Sequence, residues 1–349
     1  CLEMALHGED VPKSVYENLI EAVDGALPLM HRYIALRKKV LGLKEQHMYD
    51  IYMPLVENAD IGVSYEEAYD IVVEGLAPLG KDYQALLRRA KDERWIDVCE
   101  TEGKKSGAYS TGSYDTHPYV LLNYQRTTNE IFTIAHEMGH SIHTYKSSAA
   151  QPYPKADYTI FLAEIASTVN EVLLLKHLLK SAREKGDKKT EKFLLNYYMD
   201  MIRTTLFRQS QFAEFEQIVH KMAEDGEPLT DENLCATYYG LNKKYYGDAI
   251  IHDKEISYEW ARIPHFYRSF YVYKYATGII SAISIAHRVL TEGESAVKDY
   301  FSFLSGGCCT DPVSILKRAG VDLTAKAPFE TAMKEFEETL EAFEKIDER

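Results

Sequence analysis

The chain has 349 residues, 46% of them hydrophobic and 27% charged, with a formal net charge of -14. That length supports one large domain or two ordinary ones with room for a deep cleft, and the composition excludes a wholly disordered chain. The acid excess excludes a general nucleic-acid or anionic-membrane surface, because phosphate recognition needs a surplus of Lys and Arg.

Helical periodicity dominates. An amphipathic helix is predicted from Pro12 to Leu41, kinked or broken at Pro28, and Ser64 with Glu67 forms a capping box that opens a helix toward Ala77. A further helix is predicted at 80–95. From Gly103 to Tyr124 the texture becomes Gly-spaced, β-branched and aromatic, so a small sheet is expected within 103–126. Thr127 with Glu130 makes a second capping box, and the periodic run from Asn129 to Tyr145 predicts a helix that follows the strand directly.

After a Pro-containing loop at Gln151–Pro154, helices are expected at 159–184, 188–224, 230–246, 264–290, 294–304, 312–319 and 329–346, the first two ending at Gly186 and Gly226. There is no repeat, low-complexity tract or obvious linker. The expected architecture is a single mostly α domain over 1–349, with a small β-sheet beside the helix that carries the motif described next.

That motif is His136-Glu137-Met138-Gly139-His140. At about 100° per residue His140 lies about 40° from His136 and one turn along, so both imidazoles can meet one ion from the same helix face. Glu137 projects beside them and suits the general base that takes a proton from a metal-bound water. Zinc with two His ligands needs a third protein ligand and one open position. His143 shares the face but stands about 10.5 Å along the axis from His136, too far for one ion to bridge. It can only support the site from outside the ligand set.

The segment Phe161–Glu171 offers a better third ligand. Glu164 and Glu171 are seven apart on one face of an otherwise apolar stretch, where an unpaired carboxylate is costly. Spacing favours Glu164 as ligand and Glu171 as the partner of a ligand histidine, and leaves the reverse open.

These residues resemble oligoendopeptidase F, a bacterial relative of thimet oligopeptidase. The likeness rests on His136–His143 (HEMGHSIH), Ala163–Glu171 (AEIASTVNE), His265–Gly278 (HFYRSFYVYKYATG) and the stretch Ser106–Tyr124, and extends over nearly the whole chain. It implies a mostly helical zincin-type metallopeptidase with one zinc ion, and it puts the third ligand on Glu164. It also implies a deep channel that admits short unstructured peptides. Family members are longer at the N-terminus, and this chain begins at Cys1 without an initiator Met, so it is expected to be the catalytic C-terminal portion of a longer protein, without the preceding lobe.

Tyr267, Tyr271 and Tyr275 follow at i+4 and are expected on one helix face. The resemblance implies that a His and tyrosines of this segment hold the transition state, which points to His265, Tyr271 and Tyr275, with Tyr267 beside them for substrate. His117–Tyr124 is expected to be an edge strand near the metal helix, where an extended peptide adds by backbone pairing beside His117 and Tyr119.

Five cysteines, Cys1, Cys99, Cys235, Cys308 and Cys309, form no C-x-x-C pair and are expected to be reduced, as in the cytoplasm. No run approaches 18 uninterrupted apolar residues, and the start lacks a secretory signal's order, so no membrane partner is expected. The sequence thus reads as a zinc endopeptidase acting on oligopeptides, with Glu137 as base. A non-catalytic peptide-binding fragment that retains its zinc is the second reading, and a metal-dependent carboxypeptidase the third. Oligomeric state and cleavage preference are not encoded legibly.

Overall fold

A computed structural model describes residues 1–56 and 62–346. Among these residues the helices are α1 Leu2–His7, α2 Lys13–Val40, α3 Tyr65–Gly75, α4 Lys81–Asp92, α5 Thr128–Ala150, α6 Tyr153–Ala156 and α7 Ile160–Lys185. They continue with α8 Lys188–Ile202, α9 Arg208–Glu224, α10 Asp231–Tyr246, α11 Tyr273–Glu292, α12 Glu294–Leu304, α13 Pro312–Arg318 and α14 Ala327–Glu344. The strands are β1 Ile96–Asp97, β2 Tyr109–Thr111 and β3 Tyr119–Leu121. The fold is mostly α with a small sheet, as the sequence predicts.

The caps behave as their chemistry requires. Ser64 accepts from the Glu67 N–H while Glu67 accepts from the Ser64 N–H, and Thr127 accepts from the Glu130 N–H at the start of α5. At the other end of α7, Gly186 takes the left-handed conformation, with φ of 67°, that a residue carrying a Cβ rarely adopts.

The chain divides into two compact units. The first comprises Cys1–Glu57, Leu195–Ile280 and Leu323–Arg349; the second comprises Asn58–Leu194 and Ser281–Asp322. In the first unit α2 packs against α9, α10 and α14. It runs through Pro28 without a break. The buried residues Val15, Leu19, Val23, Met30 and Ile34 lie on both sides of the proline, and their combined burial outweighs the roughly 3 kcal/mol that an interior proline costs. The expectation of one helix over 188–224 is also refined: a π-helical turn at Arg203–Phe207 separates α8 from α9.

The predicted helix at 264–290 starts later than its periodicity suggests. Pro264–Tyr267 forms a 3-10 turn, Phe270 has a φ of 54°, and α11 begins only at Tyr273. The periodicity of Tyr267 with Tyr271 and Tyr275 is therefore not that of one helix face. The Phe270 side chain is buried, and its N–H donates to a buried Glu216 carboxylate, interactions that no i+4 pattern reveals.

In the second unit α5 and α7 form the most extensive pairing, with α3, α12, β2 and β3 around α5. The sheet has the order β1-β3-β2, with β3 parallel to β1 and antiparallel to β2. This corrects the edge-strand expectation: β3 is central, and its backbone groups are committed to neighbours on both sides. The partner on one side, Ile96–Asp97, is two residues long, too short for alternation to declare it a strand. Ser110 of β2 and Ser141 of α5 join sheet to helix through their hydroxyls at 2.8 Å.

Candidate metal centre

The centre is built by two helices of the second unit. The apolar face of α5, including Ile131, Phe132, Ala135, Met138 and Ile142, is buried, while His136 and His140 remain half-buried at its rim. Gly139 lets α7 approach: a Cβ there would stand 2.5 Å from Ser167 Cα and 2.7 Å from the Ala166 carbonyl oxygen. Buried Asn170 locks the crossing, donating to the Ala135 carbonyl at 2.9 Å while the Tyr83 hydroxyl donates to its Oδ1 at 2.9 Å.

This crossing brings Glu164 and Glu171 to the two histidines from opposite ends of the His136 ring. His136 Nε2 and His140 Nε2 are 3.1 Å apart, and each is 3.4 Å from Glu164 Oε2. Ligand atoms held at about 2.0–2.2 Å around a tetrahedral zinc sit roughly 3.3–3.6 Å from one another, so the three donors match that spacing to within a few tenths of an ångström. Among the described residues this trio is the one group of three His, Cys, Asp or Glu side chains with such convergence. At the far side of the ring, His136 Nδ1 donates to Glu171 Oε1 at 2.5 Å, which leaves the Nε2 lone pair aimed at the other donors.

The electrostatics favour a cation here. Burial pushes the His136 imidazolium down, but the hydrogen bonds it donates to the Glu164 and Glu171 carboxylates outweigh that and raise its pKa to about 10. Burial acts to raise Glu164, yet its bonds to His136 and His140 hold it well below the usual carboxylate range. A proton and a metal ion compete for such a site. Glu137 is different. It is 6% exposed, its Oε2 has no hydrogen-bond partner among the described residues, and burial raises its pKa, with Glu164 and Glu171 adding to the shift and the histidines opposing it. An orphaned carboxylate of raised basicity beside three convergent donors is what proton transfer to and from a small ligand needs.

His143 does not join the hydrogen bonding. It is fully buried, stacked on Tyr158 at 3.6 Å and tilted against Phe303, with both ring nitrogens unpartnered among the described residues, and burial lowers its pKa to about 3. It packs as a neutral ring and not as the supporting residue expected. His117 stacks on Trp95 at 5.2 Å and leans on Tyr119, which is 49% exposed. Because β3 is central, an added strand would have to pair elsewhere than on its backbone.

His265, Tyr271 and Tyr275 belong to the first unit and form their own cluster. The Tyr275 hydroxyl is 3.4 Å from His265 Nε2 and donates to the Tyr271 hydroxyl at 3.4 Å. Tyr267 is 90% exposed and stands in the preceding 3-10 turn. Sequence reasoning missed Gly139, Asn170 and Tyr83. The first two carried a signal, a small residue inside the motif and a lone amide in an apolar run, whereas Tyr83 lies 87 residues from its partner and carried none.

Known proteins resemble the chain over almost its whole length. Oligopeptidase PepF of Bacillus subtilis (strain 168) is 49% identical over 344 residues, covering 99% of this chain and 51% of that protein. The crystal structure of a Chlamydophila abortus protein matches with a TM-score of 0.92 at 42% identity, covering 99% of this chain and 57% of that one. Oligoendopeptidase-F from Enterococcus faecium matches with a TM-score of 0.79 at 37% identity, covering 100% of this chain and 55% of that one. The chain thus spans about half the length of the curated relatives it matches. A model of Peptidase family M3 matches residues 1–335, and the chain belongs to that family.

Proposed function

We propose that the chain carries the catalytic centre of a zinc-dependent endopeptidase that hydrolyses short, unstructured oligopeptides. The observation that carries this reading is the convergence of His136, His140 and Glu164 at 3.1–3.4 Å beside the unpartnered carboxylate of Glu137. The three donors would hold one zinc ion, and Glu171 would orient the His136 ring. A zinc ion bound there supplies Lewis-acid chemistry, polarising a carbonyl oxygen and acidifying water.

The chain's own part is proton handling and orientation. Glu137 Oε2 takes the proton of the attacking water and returns it to the nitrogen of the leaving amine. His265, Tyr271 and Tyr275 donate to the oxygen that gains charge in the transition state; support for their role is the likeness of their segment to the family, together with their mutual hydrogen bonding. Peptides as substrates are supported by the likeness to an oligopeptidase and an oligoendopeptidase. Peptide strand pairing, if used, falls to an edge of the sheet, and β2, in contact with α5, is the edge so placed.

The five cysteines are free thiols, which supports a reducing, cytoplasmic setting. No helix among the described residues is long and apolar enough to cross a membrane.

Cleavage of a quenched fluorescent peptide, measured with Glu137→Gln, tests the reading. Loss of hydrolysis by at least two orders of magnitude with normal zinc content is expected, and retained hydrolysis overturns it. A second reading, a peptide-binding portion that keeps zinc without turnover, makes the opposite prediction. It predicts that the 349-residue chain binds the peptide but leaves it intact with or without chelator.

A further inference from the structure

We infer that Glu216 is a positioning residue for the donor set His265, Tyr271 and Tyr275: its buried carboxylate holds the Phe270 N–H and thereby sets how the link between His265 and Tyr271 is folded. The inference rests on the role proposed above for those three side chains.

Phe270 is one of four non-glycine residues with positive φ among the described residues, at 54°. An L-residue in that region is strained by roughly 1–2 kcal/mol, so something must hold it there. Two contacts do. The Phe270 N–H donates to Glu216 Oε1 at 2.6 Å, and the Phe270 ring is buried edge-on to Tyr16, with ring centres 5.9 Å apart, and 4.6 Å from His220. Glu216 and His220 come from α9 and Tyr16 from α2, so two helices clamp one residue of the link.

What the clamp fixes is the start of α11. Lys274 N–H donates to the Tyr271 carbonyl and Tyr275 N–H to the Val272 carbonyl, both at 3.2 Å, so the first carbonyl of the opening turn is one residue beyond Phe270 and α11 itself begins at Tyr273. On the other side Arg268 N–H donates to the His265 carbonyl at 2.9 Å, closing the 3-10 turn. The three functional groups are thus joined through a link whose one left-handed residue is Phe270. Release of its N–H removes the restraint on that strained φ, and rotation to negative φ swings Tyr271 away from Tyr275.

A packing role alone would be served by an apolar side chain. Glu216 is 4% exposed, and its Oε2 has no partner among the described residues, an arrangement that costs free energy. The acceptor it supplies to Phe270 is the interaction that an apolar residue lacks. Glu216 also lines a cavity of about 230 Å³ together with Phe215, Trp260, Ile263 and Phe266, so it touches the wall that carries the His265 turn as well.

Glu216→Leu keeps the volume and removes the acceptor, and Glu216→Gln keeps an oxygen acceptor of nearly the same shape. Crystal structures of both variants are expected to show Phe270 at positive φ with the Tyr271–Tyr275 hydroxyl contact intact in Glu216→Gln, and both features lost in Glu216→Leu. Peptide cleavage should follow: kcat falls about tenfold to a hundredfold in Glu216→Leu with KM and zinc content unchanged, and Glu216→Gln recovers to within about threefold of the parent. A Glu216→Leu structure that keeps both features overturns the inference, as does an unchanged kcat.

If Glu216→Leu does not fold, the amide proton of Phe270 in ¹⁵N-Phe-labelled protein decides. It should lie downfield and move upfield in Glu216→Gln, and an amide shift indifferent to that substitution overturns the inference. These structural readouts need no turnover. Retained hydrolysis in Glu137→Gln would sink the proposed function and leave them standing, whereas their failure sinks this inference alone.

Discussion

Gly139 lies so close to Ser167 that a methyl group on it would stand 2.5 Å from the Ser167 Cα and 2.8 Å from its backbone nitrogen. The obstacle is backbone and not the movable end of a side chain, so α5 and α7 would have to separate to admit it. Their separation is what sets how far Glu164 and Glu171 reach toward the histidines. Gly139→Ala should therefore destabilise the fold by about 1–3 kcal/mol through overpacking and weaken metal binding together. Thermal melting and zinc content of the purified variant check both, and normal zinc content with an unchanged melting temperature would refute the close-approach explanation.

Metal binding itself is separable from turnover. If His136, His140 and Glu164 hold one zinc ion only in the folded chain, free zinc at a hundred times its Kd stabilises the protein by about 2.7 kcal/mol, and chelation reverses the gain. Calorimetric melts with added zinc and after chelation measure this increment. Glu164→Ala should abolish it, and a full zinc-dependent increment in that variant would remove Glu164 from the ligand set.

Glu171 is expected to act one step back from the ion. Its Oε1 lies 2.5 Å from His136 Nδ1, on the side of the ring away from His140 and Glu164. Glu171→Gln leaves a weaker acceptor and should lower zinc affinity by about tenfold to a hundredfold without changing the stoichiometry of one. A competition titration against a chromophoric chelator reads the affinity. Loss of the site outright would instead make Glu171 a ligand.

His143 predicts an acid sensitivity unconnected with metal. Burial lowers its folded pKa to about 3, against an ordinary value of 6.5 for a histidine. The unfolded chain therefore binds a proton that the folded chain refuses between those values, and stability is lost as pH falls from about 6.5 toward 3. The contribution is present in full above that window and amounts to at most about 5 kcal/mol. His143→Phe preserves a ring against Tyr158 and Phe303 and should flatten this part of the stability profile measured by urea unfolding. An unchanged slope in the variant would assign the acid lability elsewhere.

Local chemistry was readable in the sequence. The spacing of His136 and His140 places two imidazoles on one face of any α-helix, and Ser64 with Glu67, Thr127 with Glu130 and Gly186 mark helix ends through bonds that span three or four residues. None of these requires knowledge of a distant neighbour. The tertiary structure decided the rest. Which end of the His136 ring meets Glu164 and which meets Glu171 depends on the approach of α7 through Gly139 and on Asn170 reaching Ala135. The central position of β3 depends on pairing with Ile96–Asp97, and the break in the tyrosine helix depends on a carboxylate 54 residues away. Periodicity describes which face of a segment seeks burial, but the partner that buries it lies far along the chain, and only the folded structure names that partner.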